Sequence, residues 1–431
     1  MSGALSRRRL LTGGAGIAAA VGLSGCAGGS DPRGRTVLGF LGSEAAATFQ
    51  PVIDGFERAN PGIAVAYTTV PADQLNDVLQ LRLSAADSAI DVYTVDQPRV
   101  PALSARGFLT DLDPVAGRAR DAVLPEQFEI SSWEGRLRSL PIWTSTQYLF
   151  CNVDMLRKAG AEVPAADPAE RWTWEQTLGA GRRAQERAGA SAALLLEQTD
   201  LYYGIQPLVA SLEAGSGITG PDMLTPDIRN DGWVRAMTWY HDLFANGLSP
   251  RGIESTQLVT LFTDGKAPFF VGGPWNLGAF AGLDAFQWRA VPQPYFADGV
   301  PATPTDSWSW GVNPAAAHPD AARRFVEYAS LTTKGNLSTV RKTPLIPSNT
   351  AAFTSYVERL DTEATASTEN AGTIMRHELE HTAVGRPRSI GYTQFETVMG
   401  AAFSDIRNGS EPEARLRRAS AELERTWDRL R

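Results

Sequence analysis

From residue 36 to residue 95, apolar runs of two different periods alternate, and this alternation restricts the fold more than any other feature. "TVLGFL" (residues 36–41) is a short apolar run suited to a buried strand. Phe49, Val52, Ile53 and Phe56 follow at i, i+3, i+4 and i+7, one stripe of an amphipathic helix. "ANPGI" stops that helix, because Pro61 bars continuation and Gly62 permits the turn. "IAVAYTTV" reads as a second strand, "QLNDVLQLRLSA" as a second helix through Leu75, Val78, Leu79 and Leu83, and "AIDVYTV" as a buried third strand. Strand, helix, strand, helix, strand requires a parallel sheet whose crossovers are the helices.

The same grammar returns later. "QYLFCN" is strand-like, and Thr173 with Gln176 forms a capping-box pattern opening "WTWEQTLGAGRRAQERA". "LVTLFTDGKAPFFVGGPWNLGAF" reads as helix, glycine stop, strand, then a helix opened by Pro274. Two charged amphipathic helices occupy the end of the chain from Ser389. At 431 residues the chain exceeds what one hydrophobic core supports, so two lobes are expected. A formal charge of −8, with no basic block outside the N-terminus, argues against nucleic acid as a partner.

The first 26 residues read as an export signal. "SRRRLL" precedes the apolar, small-residue run "LLTGGAGIAAAVGLSG", too short and too weakly apolar for a spanning helix, and the arginine order resembles a twin-arginine signal. The run ends in "LSGC", which resembles the lipobox of bacterial lipoproteins and makes Cys26 the lipidated mature N-terminus. Residues 27–35, "AGGSDPRGR", read as a flexible tether. The other cysteine, Cys151, sits in an apolar run and is expected as a buried small hydrophobe, leaving no intrachain disulfide.

"HELEH", residues 377–381, matches the pattern in which His377 and His381 ligate zinc and Glu378 acts as general base of a hydrolase. Zinc needs a third protein ligand; no histidine follows His381, which leaves Glu396 as the nearest carboxylate. Glu380 charges a position that such helices usually pack inward. A solvated helical face is the favoured reading, and no cofactor or metal is expected.

Several stretches in sequence order resemble the extracellular solute-binding proteins of ABC importers, the sugar-type family that includes maltose-binding protein. They are "VIDGFERANPGIAVAY", "DVYTVDQPRVPALSARGFLTDLDP", "QYLFCNVDMLRKAGAEVP" with "WTWEQTL", "LFTDGKAPFFVGGPW", and "DSWSWGVNPAAAHPDAARRFVEYAS". Cys151 stands where the family pattern has a tyrosine. The resemblance covers the chain from Thr36 onward and implies a two-lobed α/β periplasmic-binding-protein fold of class II, each lobe a mainly parallel sheet flanked by helices. Hinge crossovers near Thr144, residues 292–295 and Leu331 would divide it into an N-terminal lobe of residues 36–143 and 296–331 and a C-terminal lobe of residues 144–295 and 332–431. It further implies a non-enzymatic monomer that holds a carbohydrate or polyol between the lobes and presents it to membrane permease subunits; a glycerol phosphodiester is the alternative guest.

A sugar offers flat C–H faces and a ring of hydroxyls, so its site needs aromatic plates together with carboxylates, amides or guanidinium groups. A hydroxyl left unpaired in a dry cleft costs ~1–3 kcal/mol, so each polar group must be placed individually. The resemblance points to Trp275, after a Gly-Gly-Pro turn, as a stacking plate. Asp96 and Gln97 follow the third strand at its C-terminal end, where open parallel sheets bind ligands. Glu44 lies in the loop after the first strand. Ser145 and Gln147 in "WTSTQ" are hinge-side hydrogen-bonding candidates, and Gln198, Arg386 and Arg388 would reach in from the second lobe. Asp306 and Ser307 stand where the family usually shows a glycine pair. Trp308 and Trp310 alternate along one strand, so at most one of them faces the cleft.

Overall fold

The computed structural model describes residues 30–72 and 74–431. The export signal, Cys26 and the first part of the tether lie outside these residues. Four strands open the fold: β1 (Thr36–Gly42), β2 (Ile63–Thr69), β3 (Val92–Asp96) and the short β4 (Leu140–Pro141). The chain then builds a second sheet from β5 (Tyr148–Asn152), β6 (Leu195–Leu196), β7 (Phe269–Gly272) and β8 (Trp288–Pro292). It returns to the first sheet as β9 (Trp308–Val312). The resulting orders are β2-β1-β3-β9-β4 and β8-β5-β7-β6.

Parallel pairing, expected for most of each sheet, holds for β1 with β2 and β3, and for β7 with β6. Strand β9 runs antiparallel to β3 and β4, and β5 runs antiparallel to β7 and β8. The reason is directional. A chain crossing from the other lobe arrives at the cleft edge of a sheet, so the strand it starts there must run away from the cleft. Hence Trp308, first in β9, is paired with Asp96, last in β3. Likewise Tyr148, first in β5, pairs with Gly272 and Pro292, the last residues of β7 and β8.

Two short ribbons knit the crossings together. Trp143–Thr144 pairs with Ile346–Pro347, and Thr303–Pro304 pairs with Ala383–Val384. Between the crossing segments, the hydroxyls of Thr144 and Thr305 meet at 2.9 Å, as do those of Thr146 and Thr303. Ser145 Oγ donates to the Asp306 carbonyl at 2.6 Å. These pairs satisfy polar groups that the crossings bury. Gln147 is also buried, and its amide oxygen has no partner among the described residues.

The expected helix stripe faces inward: α1 (Ala46–Ala59) buries Phe49, Val52, Ile53 and Phe56. Phe49 stacks on Trp143 with centroids 5.4 Å apart and planes 4° from parallel, and Phe40 and Trp310 close around it. The Thr173 capping box forms as the sequence indicates. Cys151 is buried in β5, and burial pushes its thiol well above the usual range. Residues 30–35, read as tether, instead close a turn in which Arg35 pairs with Asp31 at 2.7 Å and with Glu57 of α1 at 2.9 Å, so charge pairing docks this part of the segment. The helix Thr333–Thr339 packs on α1 and Pro319–Leu331, so contacts with the first lobe continue past Leu331. Among the described residues, no helix is long and apolar enough to cross a membrane.

Phe49→Ala removes a fully buried ring that joins α1 to the first crossing. It is expected to cost about 3–5 kcal/mol, read as a lower midpoint in urea unfolding with an unchanged slope.

Candidate functional site

Because every strand that meets a crossing begins or ends at the cleft, the side chains at those ends converge there. They line an interlobe cavity of about 670 Å³. The first lobe supplies Glu44, Asn76, Asp96, Arg99 and Trp308; the crossing segments supply Ser145, Asp306 and Ser307; the second lobe supplies Gln198, Tyr203, Trp275, Arg386 and Glu396.

The centre of this arrangement is Arg386. Its side chain is 9 % exposed and joins Asp96 of the first sheet to Asp306 of the second crossing. Nη2 donates to Asp96 Oδ1 at 2.6 Å, Nε to Asp306 Oδ1 at 2.8 Å, and the backbone N–H to Asp306 Oδ2 at 2.8 Å. Burial alone would disfavour the guanidinium charge, but the flanking carboxylates hold Arg386 firmly protonated. One cation between two acids leaves a surplus negative charge, and full burial pushes the Asp306 carboxyl up to about 6. Asp306 has φ 72°, the left-handed conformation that the family's glycine would adopt freely. Asp is among the side chains that tolerate it, and the three-point contact with Arg386 offsets the strain.

Around this bridge, Arg99 pairs with Glu396 and donates to Thr393 at 3.2 Å. Trp275 opens the helix Trp275–Phe280, directly after β7 and the turn Gly273–Pro274. A Cβ at Gly273 would lie 2.2 Å from the Trp275 ring, so the bare turn is what lets the indole fold back over it. The indole N–H donates to Glu197 at 2.8 Å, and Asn276 donates to the same carboxylate at 2.9 Å. Burial raises the Glu197 carboxyl, and those two donors work against that rise. The plane of Trp275 is thus set from behind, with Tyr203 tilted against it at 6.4 Å. Tyr203 donates to Ser145 at 2.7 Å and lies beneath the Arg386 guanidinium at 5.7 Å. Glu44 carries no ion pair among the described residues, and burial raises its carboxyl.

The structure brings Glu44, Asp96, Ser145, Gln198, Trp275, Asp306, Trp308 and Arg386 together. Trp308 faces the cavity while Trp310 is buried among Phe40, Phe49 and Phe325. Three candidates point elsewhere. Gln97 is fully buried, donating to Gln127 at 2.7 Å and accepting from the Ser307 N–H, so its amide belongs to the fold. Gln147 is buried within the first crossing. Arg388 donates across the lobes to the Ser132 carbonyl, and burial lowers its pKa. Asn76, Arg99, Tyr203 and Glu197 were not singled out from the sequence; "EQTDLYYG" places Tyr203 five residues beyond Gln198, the one local hint.

The histidine motif does not assemble a metal site. Glu378 is buried and paired with Arg171 at 2.8 Å, whereas His381 is exposed beside Glu380. Glu396 is committed to Arg99 in the cleft, and the described residues contain no group of three metal-ligating side chains.

A profile of the bacterial extracellular solute-binding proteins matches residues 42–333. The chain belongs to that family. Maltodextrin-binding protein MdxE of Bacillus subtilis is 23 % identical over 77 % of this chain and 79 % of its own length, and a galactooligosaccharide-binding protein of the same organism is 25 % identical over 58 % of each. The GacH receptor of Streptomyces glaucescens, solved unliganded and with acarbose, superposes with a TM-score of 0.75 at 22 % identity, covering 91 % of this chain and 98 % of that one. The maltose-bound MalE3 of T. maritima gives 0.75 at 18 % identity over 90 % and 100 %. These likenesses establish the two-lobed fold, and proteins of this family are solute-binding components of ABC importers rather than enzymes.

Asp306→Asn is expected to keep the left-handed turn, which Asn also tolerates, while removing the titration. A carboxyl raised from 3.8 to about 6 carries a cost when ionised that is relieved as pH falls through 6 and is gone below 3.8. The Tm of the wild type should therefore rise relative to that of the variant between pH 7 and pH 5, measured by calorimetry at matched ionic strength.

Proposed function

We propose that this solute-binding protein captures a carbohydrate outside the cell and delivers it to an ABC permease by closing its lobes over the sugar. The observation that carries this reading is the placement of Trp275 and Trp308, with Tyr203 beside them, around a chamber whose remaining polar groups are carboxylates, amides, hydroxyls and two guanidinium groups paired with acids. Aromatic plates suit the C–H faces of a pyranose or furanose ring, and carboxylates accept hydrogen bonds from its hydroxyls. The relatives whose names include maltodextrin and galactooligosaccharide support the same class. A glycerol phosphodiester would need a free cation in the chamber, and both of its arginines are committed to acids.

In this reading Trp275 stacks on the sugar. Glu44, Asn76 and Gln198 receive and donate hydroxyl hydrogen bonds, with Asp96 and Ser145 at the floor. The protein acts as a monomer, divided near the crossings at residues 142–147, 293–307 and 340–349. Residues 1–26 direct export by the twin-arginine route, and Cys26 carries the lipid that keeps the protein at the outer face of the membrane.

A thermal-shift panel of mono- and disaccharides, amino sugars and polyols should identify a guest that raises Tm. Trp275→Ala should then weaken that guest by about tenfold or more in titration calorimetry. A panel with no saccharide response, or an unchanged affinity in the variant, would overturn the assignment. Cys26→Ser should move the protein from the membrane fraction to the soluble one.

A further inference from the structure

Among the described residues, six charged side chains line the interlobe chamber: the carboxylates of Glu44, Asp96, Asp306 and Glu396, and the guanidinium groups of Arg99 and Arg386. Four acids against two bases leave the lining with a surplus of two negative charges. Three of the acids share the two arginines. Arg386 reaches Asp96, Asp306 and, at 3.8 Å, Glu396, while Arg99 pairs with Glu396 and approaches Asp96 at 3.7 Å. Glu44 is left out. Tyr67 and Thr69 donate to its backbone carbonyl and fix the loop that carries it, but its carboxylate has neither an ion pair nor a hydrogen bond among the described residues.

Solvent does little to dilute this surplus. Burial raises the carboxyl of Glu44 and pushes that of Asp306 up to about 6. Glu197 adds an acid behind the Trp275 indole, and the carboxyl of Glu126 is raised by burial and by the nearby charge of Asp306. An unpaired charge taken out of water is costly until a counter-charge meets it. Closure over a neutral guest strips water from the surplus and returns no charge to it, whereas a guest with a positive group offsets the cost in the same step. The position of Glu44 suits such a group. It leaves β1 beside the end of β3, where Asp96 lies, and Asp96 is paired with Trp308 at the start of β9. Two carboxylates and an indole therefore stand side by side on the cleft edge of the first sheet, and an indole face also attracts a cation. Across the chamber, the Gln198 amide oxygen is a second acceptor buried without a donor among the described residues.

We infer that the guest is a saccharide bearing a protonated amine, with its ammonium group held by Glu44 next to Trp308. The inference rests on the carbohydrate reading and narrows it to amino sugars and their oligomers. At Glu44 the guest's donor is then an ammonium rather than a hydroxyl, and this residue selects for charge. The N-acetylated or hydroxyl counterpart of the same sugar keeps the stacking on Trp275 but leaves the Glu44 charge unmet.

The test is calorimetric titration of the full chain with matched sets: glucosamine, N-acetylglucosamine and glucose; galactosamine, N-acetylgalactosamine and galactose; chitobiose, its diacetylated form and cellobiose. In the set it binds, the wild type should take the amine about tenfold or more tighter than both neutral counterparts. Glu44→Gln, which keeps the size and the hydrogen-bonding capacity of the side chain, should bring that ratio to within about twofold. A neutral sugar bound as tightly as its amine in the wild type, or a ratio that survives in Glu44→Gln, overturns the inference and leaves the carbohydrate reading standing. Should Glu44→Gln bind neither form, Glu44→Asp decides: it keeps the charge and should keep the preference, and a lost preference there overturns the inference. No binding to any saccharide, or tighter binding of spermidine than of every saccharide, removes the carbohydrate reading and the inference together.

Discussion

The seam between the lobes depends on one guanidinium. Arg386 sits where three elements meet, and the carboxylates of Asp96 and Asp306 would face each other across a buried space without it. Removing one partner of such a buried set leaves charge with no counterpart, which costs far more than the assembled set contributes. The bridge therefore fixes geometry more than it adds stability. It aims Asp96 from the end of β3, holds the left-handed turn at Asp306, and through Tyr203 ties the second lobe to Ser145 of the first crossing.

This bridge also decides what the chamber offers a guest. Both arginines that line it are paired with acids, Arg386 with Asp96 and Asp306 and Arg99 with Glu396. The uncommitted polar groups then include the Glu44 carboxylate and the neutral side chains of Asn76, Gln198, Ser307 and Thr343. A guest rich in hydroxyls can donate to the first and exchange hydrogen bonds with the others, whereas an anion finds no free cation. Glu44 has its carboxyl raised by burial, so a hydroxyl donor that replaces lost water relieves a cost already present.

Strand direction explains how much of this was legible in the sequence. Alternating periods placed β1, α1, β2 and β3, and the C-terminal end of a buried strand marked Asp96; the Gly-Gly-Pro turn marked Trp275. What lay hidden was pairing across long separations. Asp306 and Arg386 are 80 residues apart and Asp96 and Arg386 are 290 apart, so no local pattern joins them. The adjacent residues Asp96 and Gln97 look equivalent in the chain, yet the chain turns into a short helix at Gln97 and its amide is captured by Gln127 and the Ser307 backbone. The same holds for Arg386 and Arg388: the first pairs with Asp96 and Asp306 inside the chamber, whereas the second donates to the Ser132 carbonyl beyond it.

Closure, finally, does not fall to the guest alone. Arg386 with Asp96, Arg99 with Glu396, and Arg388 with Ser132 are contacts between the lobes made by the protein itself. A ligand shifts an opening equilibrium only by the difference between its affinities for the two states. Where protein contacts already favour the closed state, a modest difference suffices to populate it, and more of the intrinsic affinity appears as measured affinity. The same contacts raise the cost of reopening, so a permease that accepts the sugar must supply the free energy of parting two ion pairs and a hydrogen bond. Charged partners at the lobe rims, exchanging with Arg99 and Glu396 as the seam opens, would be the direct way to supply it, since each broken pair is replaced as it separates.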